Sequence, residues 1–152
     1  MPVLLTDTDA LSEETARALE DLGIARTEIL GGDVAVSEAV AAALPDPRRL
    51  AGDDRTGTAV AVADRLWSGR PEQVILANGY AEQAWAWALA AAPLAASHGA
   101  PLLLTTPTTL AASTAAWLED VGTVTEGFAL GGPELLSEEA VAAANLAVGG
   151  GR

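Results

Sequence analysis

Short runs of apolar residues, which are typical of buried strands, alternate with amphipathic stretches along the whole chain. The predicted strands lie at 3–5, 28–30, 48–52, 74–77, 102–104 and 128–130. The predicted helices lie between them, at 12–22, 37–44, 58–67, 82–97, 111–121 and 137–145. Strands that alternate with helices are typical of a parallel sheet. The pattern therefore predicts an α/β fold in which helices flank a parallel sheet on both faces, as in three-layer Rossmann-like or flavodoxin-like domains.

Capping residues mark where several helices begin and end. Ser12 and Ser37 are good N-caps, because a serine hydroxyl accepts a free N–H group of the first helical turn. Gly23 suits the end of the first helix. The helix at 82–97 is apolar on all sides, which predicts burial on more than one side. Pro93 predicts either a bend in this helix or the start of a new turn.

The first part of the chain recurs near its end. Pro-Val-Leu-Leu-Thr at 2–6 returns as Pro-Leu-Leu-Leu-Thr at 101–105, and Leu-Gly-Gly at 30–32 returns at 130–132. A repeated unit of about a hundred residues is the size of a domain. The sequence therefore predicts an internal duplication. Its predicted parts are the second half of a preceding repeat at 1–47, a complete repeat at 48–148 packed with it as one α/β unit, and a disordered tail at 149–152.

Composition excludes several classes of function. The 152 residues include 21 acids and 8 bases, every base is an arginine, and the net charge of −13 disfavours nucleic acid as a partner. Cysteine is absent, so disulfides and thiolate metal sites are excluded. The uncharged stretch at 83–118 contains proline and glycine that interrupt it, so we expect no membrane span. We also expect no signal peptide, because no basic segment precedes the first apolar run.

Few residues could perform chemistry. The single histidine, His98, belongs to no nucleophile arrangement, and we expect no catalytic residue, no metal site and no cofactor. Arg48, Arg49 and Arg55 form the main basic cluster, and arginine can bind phosphate or carboxylate through two hydrogen bonds. A structural ion pair with Asp46, Asp53 or Asp54 is the competing interpretation. We favour it for Arg55, which is adjacent to Asp54, whereas both interpretations stay open for Arg49.

Trp85 and Trp87 are two residues apart on the apolar helix, so they point to nearly opposite faces. One of them can pack on the sheet, and the other then needs a partner. An aromatic ring can stack on a sugar or form part of a subunit interface. We favour the interface for both residues.

Five motifs follow one another in a fixed order. They are R-L-A-G-D-D-R-T-G-T-A at 49–59, V-I-L-A-N-G at 74–79, A-L-A-A-A-P-L-A at 88–95, P-L-L-L-T at 101–105 and L-G-G at 130–132. In this order they resemble the cell wall-binding repeat type 2 family. The resemblance covers 48–144 as a full repeat and 2–44 as the second half of another.

The resemblance implies a non-catalytic module of a bacterial surface protein, located in the cell wall, which binds an anionic polymer or glycan. Such modules usually act in sets of three, so one and a half repeats imply a homo-oligomer, either a dimer or a trimer. Trp87 departs from the family, which usually has aspartate there. The candidate ligand-binding residues are Arg49, Gly52, Asp54, Arg55, Thr58, Asn78, Gly79 and Thr105.

Two other functions stay open. The incomplete repeat and the apolar helix are also consistent with a self-assembling scaffold protein that binds no ligand of its own. A small-molecule or nucleotide-binding domain, using the carboxyl ends of the parallel strands, is less favoured.

Overall fold

Helices and strands alternate along residues 2–68 and 70–149, which are the residues that the computed structural model describes. The strands are β1 (Thr27–Leu30), β2 (Pro47–Leu50), β3 (Gln73–Asn78), β4 (Leu102–Thr105) and β5 (Glu126–Ala129). The helices are α1 (Glu13–Asp21), α2 (Glu38–Ala42), α3 (Arg55–Leu66), α4 (Ala84–Ala90), α5 (Ala92–His98), α6 (Ala112–Val121) and α7 (Glu138–Gly149). The α/β prediction is therefore confirmed.

The strands form two small sheets, and each strand pair is parallel. One sheet contains β1 and β2, and the other has the order β4-β3-β5. In the first sheet Ile29 lies opposite Arg49. Strand pairing therefore joins residues on the two sides of the predicted boundary at 47–48.

The main core lies on the two faces of β3. Side chains of successive strand residues point to opposite faces. Val74 and Leu76 join a cluster with Trp117 of α6, whereas Ile75 joins Ala91 and neighbouring residues on the other side. Five of the six residues of β3 are buried, so its near-continuous apolar run follows from burial on both faces.

Capping explains where the helices begin. The hydroxyl of Ser12 accepts from Thr15 N, and that of Ser37 accepts from Val40 N, as predicted. The helix expected at 58–67 begins earlier, at Arg55, because the Asp54 carboxylate accepts from Gly57 N at 2.9 Å.

The apolar stretch at 82–97 forms two helices. Pro93 lies in the first turn of α5, and this position confirms the expected break. The expected burial on more than one side is wrong, because Trp85 and Trp87 are 70% and 46% exposed. Neither tryptophan is buried against the sheet, since Ala84 and Ala91 supply the buried positions at the two ends of α4.

None of the helices in the described residues has the length and hydrophobicity that a membrane span needs.

The predicted strand at 3–5 is wrong. This segment pairs with no strand among the described residues, and Val3 and Leu5 are 78% and 83% exposed. A strand requires a ladder partner, and the local sequence cannot supply one. The segment nevertheless keeps local contacts like those of its counterpart: Thr15 Oγ1 donates to Leu5 O, as Thr114 Oγ1 donates to Leu104 O.

The predicted tail at 149–152 lies mostly outside the described residues. Gly149 is the last residue of α7, so the expected disorder is wrong at that position.

A partly buried ion pair connects β1 with α3. Arg65 Nη2 donates to Glu28 Oε1 at 2.7 Å, and only 12% of the Glu28 side chain is exposed. Such a pair holds two elements in register more than it adds net stability, because both charges lose hydration on burial.

The turn from β2 into α3 requires glycine at position 52. A Cβ on Gly52 would lie 2.4 Å from the backbone carbon of Gly57, and backbone cannot move aside cheaply. We expect Gly52→Ala to lower the free energy of unfolding by about 1–3 kcal/mol through overpacking. Urea denaturation followed by tryptophan fluorescence measures the change.

Gly32→Ala is the matched control, since a Cβ at Gly32 meets nothing within 4 Å. Its stability should change by about 0.5 kcal/mol or less. Equal effects of the two substitutions would contradict the proposed close approach at Gly52.

Candidate functional site

Polar side chains gather where β3 ends and α3 begins. The carboxyl ends of parallel strands are the edge at which α/β folds bind ligands. The group, called here the carboxyl-edge cluster, consists of Asp54, Arg55, Thr56, Asn78, Gly79, Tyr80 and Ser113.

Asp54 is the acceptor at the centre of the cluster. Its Oδ1 accepts from Gly57 N at 2.9 Å and from Thr56 Oγ1 at 2.7 Å. Its Oδ2 accepts from the Tyr80 hydroxyl at 2.9 Å. These donors favour the ionised form, the Gly57 N–H most strongly, and they lower the pKa of Asp54 to about 2. The carboxylate is therefore charged at neutral pH.

Tyr80 lies between the carboxylate and a guanidinium group. Its hydroxyl donates to Asp54, and this hydrogen bond raises the pKa of Tyr80 above its ordinary value of 10. The guanidinium carbon of Arg55 lies 4.8 Å from the centre of the tyrosine ring, within the range of a cation–π contact. Arg55 Nη1 also donates to Gly79 O at 2.5 Å. Arg55 therefore connects the start of α3 with the end of β3.

Two hydroxyl groups connect the cluster with α6. Thr56 Oγ1 and Ser113 Oγ lie 2.8 Å apart, and Thr56 is almost fully buried. This contact joins the first turn of α3 to the first turn of α6.

Asn78 and Thr105 act within the fold. Asn78 Nδ2 donates to Leu135 O at 2.8 Å, and its Oδ1 accepts from the N–H groups of Tyr80 and Ala81. Thr105 is fully buried, and its hydroxyl donates to Thr109 O at 2.8 Å. Both side chains shape the loops that follow their strands.

The predicted ligand-binding residues are only partly brought together. Asp54, Arg55, Asn78 and Gly79 meet in the cluster. Gly52 lies before α3 and Thr58 lies within it, and Gly52 N donates to Thr58 Oγ1 at 3.1 Å.

Arg49 bonds to another part of the chain. Its Nη2 donates to Glu38 Oε1 at 2.7 Å, and its Nη1 donates to Gly31 O at 2.9 Å. Arg49 therefore pairs with a glutamate of α2. The ion pair with a neighbouring aspartate, which the sequence favours for Arg55, is not among the ion pairs of the described residues.

Sequence reasoning missed Tyr80, Thr56 and Ser113 as members of the cluster. Tyr80 is the only tyrosine of the chain and directly follows Asn78-Gly79, which ends a predicted strand. This place in the sequence could have indicated that Tyr80 lies near the end of the strand. Its contact with Asp54 spans 26 residues, so the sequence could not reveal that pairing.

The exposed groups of the cluster are a carboxylate, a guanidinium and a phenol, which together can hydrogen-bond to sugar hydroxyls or to an anionic group. Within residues 2–68 and 70–149, no group of three or more His, Asp or Glu side chains converges on a metal position.

Titration of Tyr80 reports directly on its contact with Asp54. We expect the pKa of the phenol to lie above 10 in the folded chain and to fall towards 10 in Asp54→Asn, which removes the negative charge and keeps a capping oxygen. Because the folded pKa is the higher one, the contact stabilises the fold below pH 10, and this contribution is lost as the pH rises through the folded value. The absorbance of the phenolate band as a function of pH measures the pKa of Tyr80 without ambiguity, since the chain has one tyrosine.

Glu82→Gln is the control for this titration, because it removes a nearby exposed charge, whereas the Tyr80 hydroxyl donates to Asp54. A phenol pKa that is the same in the native chain and in Asp54→Asn would contradict the hydrogen bond.

The chain is similar to several proteins of known type. A relative, N-acetylmuramoyl-L-alanine amidase LytC of Bacillus subtilis (strain 168), is 33% identical over 125 residues, which are 80% of this chain and 24% of that protein. Two solved structures from Clostridium difficile share the fold. Cwp6 superposes with a TM-score of 0.83 and 26% identity over 95% of this chain, and Cwp8 with a TM-score of 0.78 and 25% identity over 99%.

The chain spans about a quarter of the length of each of these proteins: 24% of LytC, 23% of Cwp6 and 26% of Cwp8. The sequence pattern of cell wall binding domain 2 matches residues 49–142, which include the whole carboxyl-edge cluster. The chain belongs to the cell wall binding domain 2 family.

Proposed function

We propose that this chain is a non-catalytic module that binds an anionic polymer or glycan of the cell wall. Membership of a cell wall binding family supports the role in wall binding. The identity of the ligand and its contact with the carboxyl-edge cluster are the parts that we infer. We also propose that the protein acts outside the cell, in the wall.

The carboxyl-edge cluster is the observation that carries the proposal. Asp54, Arg55 and Tyr80 are all exposed, although they are held in place by hydrogen bonds. A guanidinium has five N–H donors, and among the described residues Arg55 donates one side-chain hydrogen bond. The remaining donors can bind an anionic group, while the Tyr80 ring and the Asp54 carboxylate can contact a sugar.

The overall charge limits how an anionic polymer could bind. A chain with a net charge of −13 repels a polyanion at long range. Attraction must therefore come from arginines at short range, where hydrogen bonds add to the charge. Arg55 in the cluster and the exposed Arg48 on β2 are the two that we propose.

The protonation states fix the charge that the cluster presents to a ligand at neutral pH. A pKa of about 2 keeps Asp54 ionised at neutral pH, so it cannot donate a proton as a general acid. The raised pKa of Tyr80 keeps the phenol protonated, so it cannot serve as a base. Amidase activity is named for LytC, of which this chain matches 24%, and we do not extend it to this chain.

We further propose that residues 2–44 and 101–145 are copies of one half repeat. Ser37 N donates to Thr8 O and Ser137 N donates to Pro107 O, both at 2.8 Å. This agreement supports the duplication, with 48–148 as the complete repeat in a three-layer arrangement around β3.

Wall binding is tested by sedimentation with purified Gram-positive cell walls. We expect the chain to sediment with intact walls and Tyr80→Ala to bind about tenfold or more weakly. The substitution removes the proposed aromatic contact with a sugar and also the ring against which the Arg55 guanidinium packs. The measurement is the bound fraction as a function of wall concentration.

Arg17→Gln is the matched control, because Arg17 is an exposed arginine outside the cluster that pairs with Glu13 on α1. Walls stripped of anionic polymers by acid distinguish the two ligand classes: lost binding indicates the polymer, and retained binding indicates the glycan. Equal binding of the native chain and Tyr80→Ala would contradict the proposed site.

A second candidate function is self-association through α4, which would make the chain a homodimer or homotrimer. Trp85 and Leu89 are four residues apart on one face of α4 and are 70% and 67% exposed. Exposed aromatic residues of this kind are enriched at interfaces.

The mass in solution tests this second candidate. We expect light scattering to give a mass above 15.4 kDa for the native chain and the monomer mass for Trp85→Ser/Leu89→Ser. Val34→Ser is the control, since Val34 is 87% exposed and lies in the turn before α2. A monomeric native chain would exclude this function.

A further inference from the structure

Asn78 and Gly79 form a chemically reactive pair at the end of β3. The backbone nitrogen that follows an asparagine can attack the side-chain amide carbon, and glycine leaves this nitrogen unhindered because it has no Cβ. The chain contains two asparagines, and the other, Asn145, is followed by Leu146. A branched side chain hinders the attacking nitrogen. The local sequence therefore makes Asn78 the reactive asparagine of the two.

The reaction of such a pair is deamidation through a succinimide. The Gly79 nitrogen loses its proton to water or hydroxide and forms a bond to Asn78 Cγ, whose bond to Nδ2 breaks. Nδ2 gains a proton and leaves as ammonia. Water then adds to either carbonyl carbon of the ring and opens it, so that aspartate or isoaspartate remains at position 78. The net change is the replacement of an amide by a carboxylate.

The fold holds the attacked amide in place. Asn78 is 6% exposed. Its Nδ2 donates to Leu135 O at 2.8 Å, and its Oδ1 accepts from Tyr80 N at 2.8 Å and from Ala81 N at 3.1 Å. Departure of Nδ2 breaks the first of these hydrogen bonds, and ring closure reorients the oxygen that accepts the other two. All three therefore oppose the reaction in the folded chain.

The attacking nitrogen is held as well. Gly79 N donates to Thr105 O at 2.9 Å, which continues the pairing of β3 with β4, and Gly79 is buried. Asn78 is the last residue of β3, so its backbone is extended, and ring closure requires rotation about its Cα–C bond. Arg55 Nη1 donates to Gly79 O at 2.5 Å and fixes the next peptide unit. The nitrogen cannot reach the amide carbon while these contacts are intact.

We propose that Asn78-Gly79 is a deamidation site that the folded chain keeps inactive. It reacts only when the end of β3 separates from β4 and from the loop before α7. Each opening gives the reaction a chance to occur, and the reaction is irreversible once ammonia has left. The proposal does not depend on what the carboxyl-edge cluster binds.

The edge can open without unfolding of the whole chain. α4, which follows the Asn78-Gly79 turn, has a single buried residue, Ala84, whereas Trp85 and Leu89 are 70% and 67% exposed. Segments that bury little apolar surface open at a lower free energy than core strands do. The rate of modification then follows the fraction of molecules in which this edge is open.

The modified residue fits the folded edge poorly. A carboxylate at position 78 has no N–H group for Leu135 O and places a second acceptor against that carbonyl oxygen. Isoaspartate also lengthens the backbone before Gly79, which displaces Gly79 N from Thr105 O. Modification therefore favours the open edge over the closed one.

Peptide mapping by mass spectrometry measures the reaction in the full chain, held in mildly alkaline buffer with and without guanidinium chloride. We expect conversion at position 78 to be about a hundredfold or more slower in the folded chain, because only the open fraction reacts. Both aspartate and isoaspartate should form, since the succinimide opens in two ways. Asn145, followed by Leu146, is the internal control and should convert much more slowly in the denaturant.

Equal rates at position 78 in the folded and the denatured chain would overturn the proposal. So would conversion of Asn145 in the denaturant as fast as that of Asn78, because the reaction would then not depend on the glycine.

Arg55→Gln tests the hold on Gly79 within the folded chain. It removes the charged donor to Gly79 O and should raise the rate at position 78 about tenfold. Arg17→Gln, which changes an exposed arginine of α1, should leave the rate as it is. Urea denaturation of both variants gives the globally unfolded fraction. A rate in Arg55→Gln that equals the native rate, or that rises no more than this fraction, would contradict opening at the end of β3.

Discussion

Burial of β3 between two parallel neighbours is the constraint on which the rest of the structure depends. Parallel strands cannot be joined by tight turns, so each connection must cross the sheet and contains a helix. α4 and α5 lead from β3 to β4, and α6 leads from β4 to β5. The helices pack on both faces of β3, and the same pairing delivers Asn78 and Gly79 to the edge where α3 begins.

One carboxylate combines the local structure with the chemistry of the candidate site. Asp54 caps α3 through Gly57 N and also accepts from Tyr80. The same hydrogen bonds that start the helix therefore keep the carboxylate ionised and the phenol protonated. A site of this kind is ordered before a ligand arrives, which reduces the entropy cost of binding.

The segments 2–44 and 101–145, which are similar in sequence, have similar local contacts and different surroundings. The edge of β1 is covered by β2, whereas the matching edge of β5 is open among the described residues. Likewise β4 pairs with β3, whereas the matching residues 3–5 are exposed and form no strand. Exposed apolar residues such as Val3 and Leu5 therefore lie in a segment that has no strand partner among the described residues.

The sequence by itself determined the order of elements, most of their limits and the helix caps at Ser12 and Ser37, because periodicity and capping depend on neighbouring residues. It also identified the family through motifs in order. Only the tertiary structure decided that residues 3–5 stay unpaired, that Trp85 and Trp87 are both exposed, and that Arg49 contacts Glu38. The hydrogen bond between Tyr80 and Asp54, which are 26 residues apart, was also decided by the tertiary structure. Pairing between distant segments depends on which surfaces the packed helices and strands bring together. The local sequence pattern does not specify these long-range contacts.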